Sequence, residues 1–343
     1  LDYKKPVQIF LVTYDQVRGD IKNNAFPADY FDLIVLDEIH LIKNPNSQRA
    51  LYLKKLEARF KWGLSGTPIQ NTPKDLYAIF EFLKPEEFPT LSTNQYEILS
   101  EKELLKKSKK YILRRLKLKN ILPEKKRKEI WLELDKNQSI SYQSKYKIRK
   151  NKLRDLLNKN TSDNKLRKSI NGAFTDLLQT CNFDPITKSS NKIQNVVQII
   201  KKITKNKEKV IVFSRFLDYG VYQILKHLEF NNINALLLEG SMNTEHRNTV
   251  LEDFKFNNTF NVLLSTLFTG GVGLNITEAN NVIHYDHWWN PAVMFQAEDR
   301  VHRIGQKKEV NVYNLFTKNT VEEKILKLLK SKEKMIERIL SNL

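Results

Sequence analysis

Two adjacent carboxylates, Asp37 and Glu38, directly follow the apolar run Phe31–Leu36, and His40 comes two residues later. Side chains at the carboxyl end of a strand lie where open α/β sheets bind their ligands. There an aspartate can hold Mg²⁺ beside a phosphate, and a neighbouring glutamate can accept a proton from water. The pair points to metal-assisted hydrolysis, although the same residues alone are also typical of a solvated turn.

A second group of small polar residues lies in segment 64–71 (LSGTPIQN), after another apolar run. Its hydroxyl residues, Ser65 and Thr67, can hydrogen-bond a phosphate or a nearby carboxylate. Ser65 comes 28 residues after Asp37, which is about one strand–helix–strand crossover. We therefore expect both groups at the ends of adjacent strands; taken alone, this segment is also typical of an ordinary turn.

Segment 296–306 (QAEDRVHRIGQ) carries Arg300 and Arg303. Residues three apart share one face of a helix, and two guanidiniums on one face can bind a triphosphate bidentately. The alternative is a surface ion-pair set in which these arginines pair with Glu298 and Asp299. The segment alone does not decide between the two.

A glycine-rich segment, Thr269–Asn275 (TGGVGLN), follows the apolar run Val262–Ser265. Glycines expose backbone N–H groups, so Gly270, Gly271 and Gly273 can approach a phosphate of a nucleotide or of DNA closely. A single glycine-rich loop is weak support for either ligand.

Short apolar runs alternate with helical stretches in both halves of the chain, which predicts an α/β fold with parallel sheets and crossover helices. The length, 343 residues, favours two domains. Residues 74–180 between them are predicted to be mostly helical. The predicted strands are Gln8–Tyr14, Phe31–Leu36, Phe60–Ser65, Val210–Ser214, Ala235–Leu238, Val262–Ser265, Val282–Tyr285 and Val310–Phe316. The main predicted helices are Asp75–Leu83, Glu101–Leu118, Ser139–Leu178 and Thr320–Leu340.

The formal net charge is +19, and residues 101–170 carry +16 of it. A basic segment between nearly neutral regions indicates a binding surface for a polyanion. The alternative is a solvated, lysine-rich helical face.

The single cysteine, Cys181, excludes an internal disulfide framework and a cysteine-cluster zinc site, and favours a reducing, intracellular compartment. No apolar run approaches the roughly 20 residues needed to span a bilayer, which excludes a membrane protein.

In their order along the chain, these segments resemble the motifs of the Snf-two family of superfamily-two helicase-like ATPases, the motors of chromatin remodelling and DNA repair. The resemblance covers nearly the whole chain. The matching segments are 11–14 (LVTY, motif Ib), 36–40 (LDEIH, a DEAH-type Walker B box) with 42–44 (IKN), 64–71 (motif III), 113–117 and 122–125 (a basic brace), 212–216 (VFSRF, motif IV), 238–241 with Arg247, 269–275 (motif V), 286–291 (DHWWNP) and 296–306 (motif VI).

The resemblance implies two RecA-like lobes, the first truncated at its N-terminus, with a basic, mostly helical insertion between them. The expected division is 1–90 for the end of lobe one, 91–190 for the insertion and brace, and 191–343 for lobe two. The implied activity is an ATP-dependent, double-stranded DNA translocase that remodels protein–DNA complexes. A strand-separating helicase and a catalytically dead DNA-binding transcription regulator remain alternatives.

The implied ligands are ATP, Mg²⁺, duplex DNA and a DNA-bound protein, and the expected location is the nucleus. The compact form is also similar to short viral members such as baculovirus global transactivators, which would place it in the host nucleus. By motif match, Asp37 would hold Mg²⁺, Glu38 would activate water, and Arg300 and Arg303 would be arginine fingers. The residues implied for nucleotide binding are Gln296, Gly271, Gly273, Ser65 and Thr67. Those implied for DNA binding or coupling between the lobes are Thr13, Lys43, Ser214, Arg215, Thr269, Gly270, Arg114 and Arg115.

The largest departure from the family pattern is the P-loop, G-x-x-x-x-G-K-[ST], which occurs nowhere in the 343 residues. Because the family's P-loop precedes motif Ib, we expect this chain to be a piece of a longer protein. Alone, it should neither bind ATP tightly nor hydrolyse it. Ile39 also stands where the family usually has Ala or Gly, and Thr269 where Ala is usual.

Overall fold

In the computed structural model, the chain forms two compact units. The first comprises Leu1–Arg115 with Lys332–Leu343, and the second comprises Leu116–Ser331. The structure describes residues 9–25, 30–70, 72–90, 100–115, 122–159, 162–270 and 274–342. Within these ranges, no helix is both long and apolar enough to cross a bilayer.

The first unit is built around two parallel strands whose inner faces pack on helices. Ile34 and Leu36 are buried against the helices at 48–53 and 74–83, while Leu33 and Val35 on the opposite face are 42% and 46% exposed. Its elements are α1 (Tyr14–Lys22), β1 (Phe31–Leu36), a 3₁₀ turn (Ile39–Ile42), α2 (Gln48–Leu53), β2 (Ala58–Gly63), α3 (Lys74–Leu83) and α4 (Glu101–Ser108). Strand pairing aligns Leu36 with Gly63, so both strands end at the same edge.

The second unit is a parallel sheet covered by helices on both faces. In the described residues the strand order is β3-β8-β7-β4-β6-β5, with every pair parallel. Its elements are β3 (Lys125–Leu132), α5 (Lys136–Asn158), α6 (Asp163–Asn182), α7 (Asn191–Lys205), β4 (Val210–Ser214), α8 (Tyr222–Phe230), β5 (Ala235–Leu238), α9 (Thr244–Phe256), β6 (Val262–Thr266), α10 (Leu267–Gly270), β7 (Asn281–His284), α11 (Pro291–Glu298), β8 (Val310–Thr317) and the start of α12 (Val321–Asn342), whose residues from Lys332 on belong to the first unit. Strands β4 and β7 are buried throughout, as expected of continuous apolar runs in a parallel sheet.

The α/β class and the parallel pairing predicted from the sequence are confirmed, and β1 and β4–β8 lie within a residue or two of their predicted bounds. The predicted strand Gln8–Tyr14 is wrong where the structure describes it. Residues 9–13 form no strand, and Ile9 and Leu11 are 78% and 86% exposed. Thr13 instead caps α1, accepting a hydrogen bond from the backbone N–H of Gln16.

Strand β3 lies inside the stretch predicted to be mostly helical. It has one neighbour, β8, and therefore forms an edge of the described sheet. Its sequence, KKRKEIWL, resembles a charged surface segment rather than a strand. Lysines are common on edge strands, where they discourage pairing with other chains. The predicted helix Glu101–Leu118 is also shorter than expected, since α4 ends at Ser108 and a 3₁₀ turn follows.

Candidate active site

Two hydrogen bonds join the segments that follow β1 and β2. The backbone N–H of Leu64 donates to the carbonyl of Leu36 over 2.8 Å, and the N–H of Ile39 donates to the carbonyl of Leu64 over 2.9 Å. The parallel ladder therefore continues one step past both strands. This places segment 37–40 beside segment 64–67, as their spacing in the sequence predicts.

The two carboxylates leave this edge in a specific backbone conformation. Glu38 has φ 49° and ψ 48°, a left-handed conformation that is uncommon for a residue other than glycine. Its N–H donates to Asp37 Oδ1 over 2.9 Å, which fixes the Asp37 side chain next to the turn. Asp37 is exposed and Glu38 is half-buried, so the two carboxylates have different surroundings.

His40 connects Glu38 to the second segment. Its ring is buried, and Nδ1 lies 3.2 Å from Glu38 Oε2 and 3.1 Å from Ser65 Oγ. Ser65 Oγ in turn accepts a hydrogen bond from the backbone N–H of Thr67 over 3.1 Å. These contacts hold the Glu38 carboxylate against the hydroxyl-rich turn and restrict its rotation, which is what a proton acceptor at a fixed position requires.

Lys43 is turned towards the inside of the unit. Its ammonium donates to Gln70 Oε1, and the backbone N–H of Gln70 donates to Asp75 Oδ2 over 3.0 Å. Burial lowers the pKa of Lys43, while the Asp75 carboxylate opposes this shift. Lys43 therefore ties the segment after β1 to the start of α3; its predicted contact with DNA stays a prediction.

Tyr14 belongs to segment 11–14, and the sequence predicts no role for it. Its hydroxyl donates to the backbone carbonyl of Asp37 over 2.6 Å. Burial, together with the nearby Asp37 carboxylate, raises the pKa of Tyr14, so the phenol stays protonated and keeps donating. Its neighbour in the sequence, Thr13, is exposed at the start of α1. The only available signal for Tyr14 was its position beside Thr13.

The surroundings of Asp37 fit a magnesium ion that is bound mainly by phosphates and water. Among the described residues, no group of three or more His, Cys, Asp or Glu side chains could hold a metal by itself. Mg²⁺ commonly takes one or two protein carboxylates and fills its other positions with water and substrate phosphates. A single exposed carboxylate at a strand end meets that need, and bound Mg²⁺ would offset negative charge on phosphate oxygens there.

Arg300 and Arg303 do not lie on a helix, so they do not share a helical face as their spacing would allow. Helix α11 ends at Glu298, and both arginines lie in the turns that follow it. Arg303 is exposed and its guanidinium donates to the carbonyl of Leu274 over 3.4 Å, while Arg300 is half-buried. Gln296 is half-buried on the last turn of α11.

Glu298, the last residue of α11, is paired with strand β3. Its buried Oε2 lies 2.8 Å from Lys125 Nζ and 2.7 Å from the Arg127 guanidinium, both on β3. Burial alone would raise the pKa of Glu298, but the adjacent His284 imidazole, Lys125 and Arg127 outweigh it and lower that pKa. The sequence-based alternative placed Glu298 in a surface ion-pair set, which is wrong for this residue. Nothing local in the sequence identifies partners that lie more than 170 positions away.

Ser214, predicted to contact DNA, is fully buried at the end of β4. Its hydroxyl donates to Asp286 Oδ2, and the backbone N–H of Arg215 donates to Asp286 Oδ1 over 2.8 Å. Asn182 donates to the same carboxylate over 2.7 Å. Asp286 thus organises the end of β4, a role that the sequence analysis missed.

Arg215 packs against aromatic rings. Its guanidinium carbon is 4.2 Å from the ring centroid of Trp288 and 4.4 Å from that of Trp289, and the two indoles stack on each other. Burial lowers the pKa of Arg215, and Asp286 opposes the shift. A planar guanidinium stacked on indoles fixes this pair, an arrangement that lysine would not reproduce.

The remaining predicted residues are spread over both units. Thr269 is buried, and its hydroxyl lies 2.7 Å from that of Thr266; Gly270 ends α10. Gly271 and Gly273 lie outside the described residues. Arg114 and Arg115 are exposed after the 3₁₀ turn that follows α4.

Comparison with known proteins decides the family. A family model described as SNF2-related domain matches residues 2–186, and one described as Helicase conserved C-terminal domain matches residues 191–305. The chain belongs to the Snf-two family. The resemblance seen in the motifs is thereby confirmed, and the family is one of helicase-like ATPases.

The relatives are bacterial and eukaryotic. An uncharacterized ATP-dependent helicase of Mycoplasma genitalium is 34% identical over 97% of the chain. The ISWI chromatin-remodeling complex ATPase ISW1 of Saccharomyces cerevisiae is 31% identical over 86% of it. The chain spans only 33% and 28% of these two proteins.

A solved structure supports the fold. The SWI2/SNF2 ATPase core of Sulfolobus solfataricus, determined in complex with dsDNA, is 28% identical, with a TM-score of 0.53 over 96% of this chain and 72% of that one. This likeness confirms the predicted fold class, an α/β chain consistent with two RecA-like lobes. The predicted division at residues 1–90, 91–190 and 191–343 stays a prediction.

Proposed function

We propose that the protein carrying this chain hydrolyses ATP and uses the energy to move along double-stranded DNA. The observation that carries the proposal is the joined edge of β1 and β2, where Glu38, His40 and Ser65 are connected within 3.2 Å. A carboxylate held in this way can accept a proton from an attacking water, and Asp37 beside it can hold Mg²⁺. The Arg300 and Arg303 guanidiniums can neutralise charge that develops on the phosphates.

The proposal assigns three residues to support rather than to direct contact. Lys43 is hydrogen-bonded to Gln70, and Ser214 is buried on Asp286, so neither offers its polar group to a phosphate in this arrangement. Arg215, stacked on Trp288 and Trp289, would hold those indoles in place. DNA contact would then fall to exposed side chains such as Thr13, Arg114 and Arg115.

Duplex DNA is the proposed track for two reasons. Residues 101–170 carry +16 of the net charge of +19, and the archaeal SWI2/SNF2 core was solved with dsDNA bound. Contacts of this kind are made to phosphates, so binding should weaken steeply with salt and depend little on sequence. The relative from yeast is a chromatin-remodeling ATPase, which supports a protein–DNA complex as the target. The more similar relative is bacterial, so the proposal does not extend to the nucleus.

An ATPase assay tests the proposal and the role of the missing P-loop together. The 343-residue chain and the longer protein that carries it are compared with and without saturating duplex DNA. We expect DNA-stimulated turnover by the longer protein only, because the chain lacks the lysine and the backbone cradle that bind the phosphates. Turnover by the chain alone near that of the longer protein would contradict this account.

A strand-separating helicase is the second candidate, favoured by the name of the Mycoplasma relative, an ATP-dependent helicase. A strand-displacement assay on a forked duplex separates the two. Duplex-stimulated hydrolysis without displacement supports a translocase, whereas ATP-dependent release of the labelled strand supports a helicase. DNA binding with no hydrolysis in the longer protein would leave the DNA-binding regulator.

A further inference from the structure

A groove in the second unit belongs to none of the motifs. It lies between α5, α6 and the first turn of α12 and has a volume of about 350 Å³. Its floor is formed by Ala173, Leu177 and Val321, which are 4–5% exposed. Leu157 stands at its edge and is 59% exposed. A partner that covers this apolar floor and the exposed leucine would remove apolar surface from water, which favours binding.

The rim of the groove is positively charged. Of the four basic side chains that line it, Arg149 is paired with Asp176 over 2.9 Å. For Lys150, Arg154 and Lys324, no carboxylate among the described residues lies within ion-pair distance. No lining residue is acidic. The rim therefore presents a net positive field above an apolar floor.

We propose that this groove binds an acidic, amphipathic helix of a partner protein. Apolar side chains at helical spacing would enter the groove, and flanking carboxylates would pair with Lys150, Arg154 and Lys324. Duplex DNA fits the same cations but carries no apolar side chains to cover the floor around Leu177 and Val321. The apolar floor and the basic rim together favour a peptide at this groove. The charge of the sequence alone predicts a polyanion-binding surface over the whole segment 101–170.

The α5 face makes the charge requirement testable. Lys150 and Arg154 line the groove, whereas Lys147 and Lys152 are exposed on the same helix outside it. The pairs Lys150→Glu with Arg154→Glu and Lys147→Glu with Lys152→Glu change the net charge equally. The two pairs lie on the same helix and differ in whether they line the groove, so a general charge effect should appear in both pairs.

The probe is a labelled synthetic helical peptide of about 20 residues, with leucines on one face and glutamates beside them, titrated with the 343-residue chain. We expect the groove pair to weaken binding roughly tenfold or more and the control pair to change it less than about threefold. A peptide of the same composition in scrambled order should bind much more weakly. Equal losses in the two pairs, or equal binding of the scrambled peptide, would overturn the proposal.

A second comparison separates the peptide from DNA. Leu157→Ala removes an apolar contact at the groove, whereas Ile148→Ala removes a similarly exposed one, 62%, on the same helix outside it. We expect Leu157→Ala to weaken the peptide about fivefold and leave duplex DNA affinity unchanged, with Ile148→Ala affecting neither. Because both positions are exposed, the variants should fold, which circular dichroism checks. Failure of the peptide to bind while duplex DNA binds, or no effect of Leu157→Ala, would refute it.

Discussion

Ile39 follows the carboxylates Asp37 and Glu38, and the structure shows what accommodates this large side chain. Ile39 is buried after β1, and Gly63 at the end of β2 faces it. A Cβ built on Gly63 would lie 3.0 Å from Ile39 Cγ2 and still closer to Cδ1. A side chain at position 63 therefore fits only if the Ile39 side chain shifts.

This pair gives a prediction at the scale of single residues. Gly63→Ala should destabilise the chain by about 1–3 kcal/mol, because the added methyl group overpacks against Ile39. In an Ile39→Ala background, which itself costs about 2–4 kcal/mol, the same change should cost less than about 0.5 kcal/mol. Urea unfolding of the four chains measures the coupling.

Gly66 provides the matched control for this cycle. It lies three residues further along, and a Cβ at this position meets no heavy atom within 4 Å. Gly66→Ala should therefore change the free energy of unfolding by less than about 1 kcal/mol. If Gly63→Ala costs the same with and without the Ile39 side chain, the steric explanation is wrong.

At the scale of elements, Glu298 joins the end of α11 to β3. Removing its charge with Glu298→Gln should cost about 2–3 kcal/mol at pH 7, since Lys125 and Arg127 lose their buried partner but still reach water. The folded state lowers the pKa of Glu298. The ionised side chain therefore contributes fully to the free energy of unfolding above its pKa in the unfolded chain, about 4.3, and this contribution declines as the pH falls. At about pH 3 the difference between the two chains should be smaller by about 1–2 kcal/mol.

Unfolding measured at both pH values checks this prediction. Glu309→Gln is the control, because Glu309 pairs with Lys126 on the same strand but is 40% exposed. Its cost should stay below about 1 kcal/mol at either pH. A Glu298→Gln penalty that grows on acidification would show that the ionised form is not the one stabilised.

The same elements show how far sequence reasoning reaches. Strands β4, β6 and β7 were predictable because their apolar runs are buried on both faces. Asp37 and Ser65 could be placed together because parallel strands end at one edge. Strand β3 was missed because an edge strand can be mostly lysine and arginine. The burial of Glu298 was missed because its partners on β3 are not local in the sequence.

At the scale of the whole molecule, the structure divides the basic segment 101–170 among several tasks. Lys125 and Arg127 neutralise a buried carboxylate, whereas Lys150 and Arg154 line the apolar groove. Arg114 and Arg115 are exposed at the end of the first unit's continuous stretch. The charge of +16 in this segment is therefore an upper limit for what it offers to DNA, a distinction that composition could not draw.

The central claim is that Glu38, held by His40 at the joined strand edge, accepts the proton during ATP hydrolysis. The direct measurement is DNA-stimulated ATP turnover by the longer protein carrying Glu38→Gln, with Glu57→Gln, an exposed glutamate before β2, as control. We predict a loss of at least about 100-fold for Glu38→Gln, with duplex DNA affinity within about twofold of wild type and normal turnover for the control. Wild-type turnover by the Glu38→Gln protein would contradict the account.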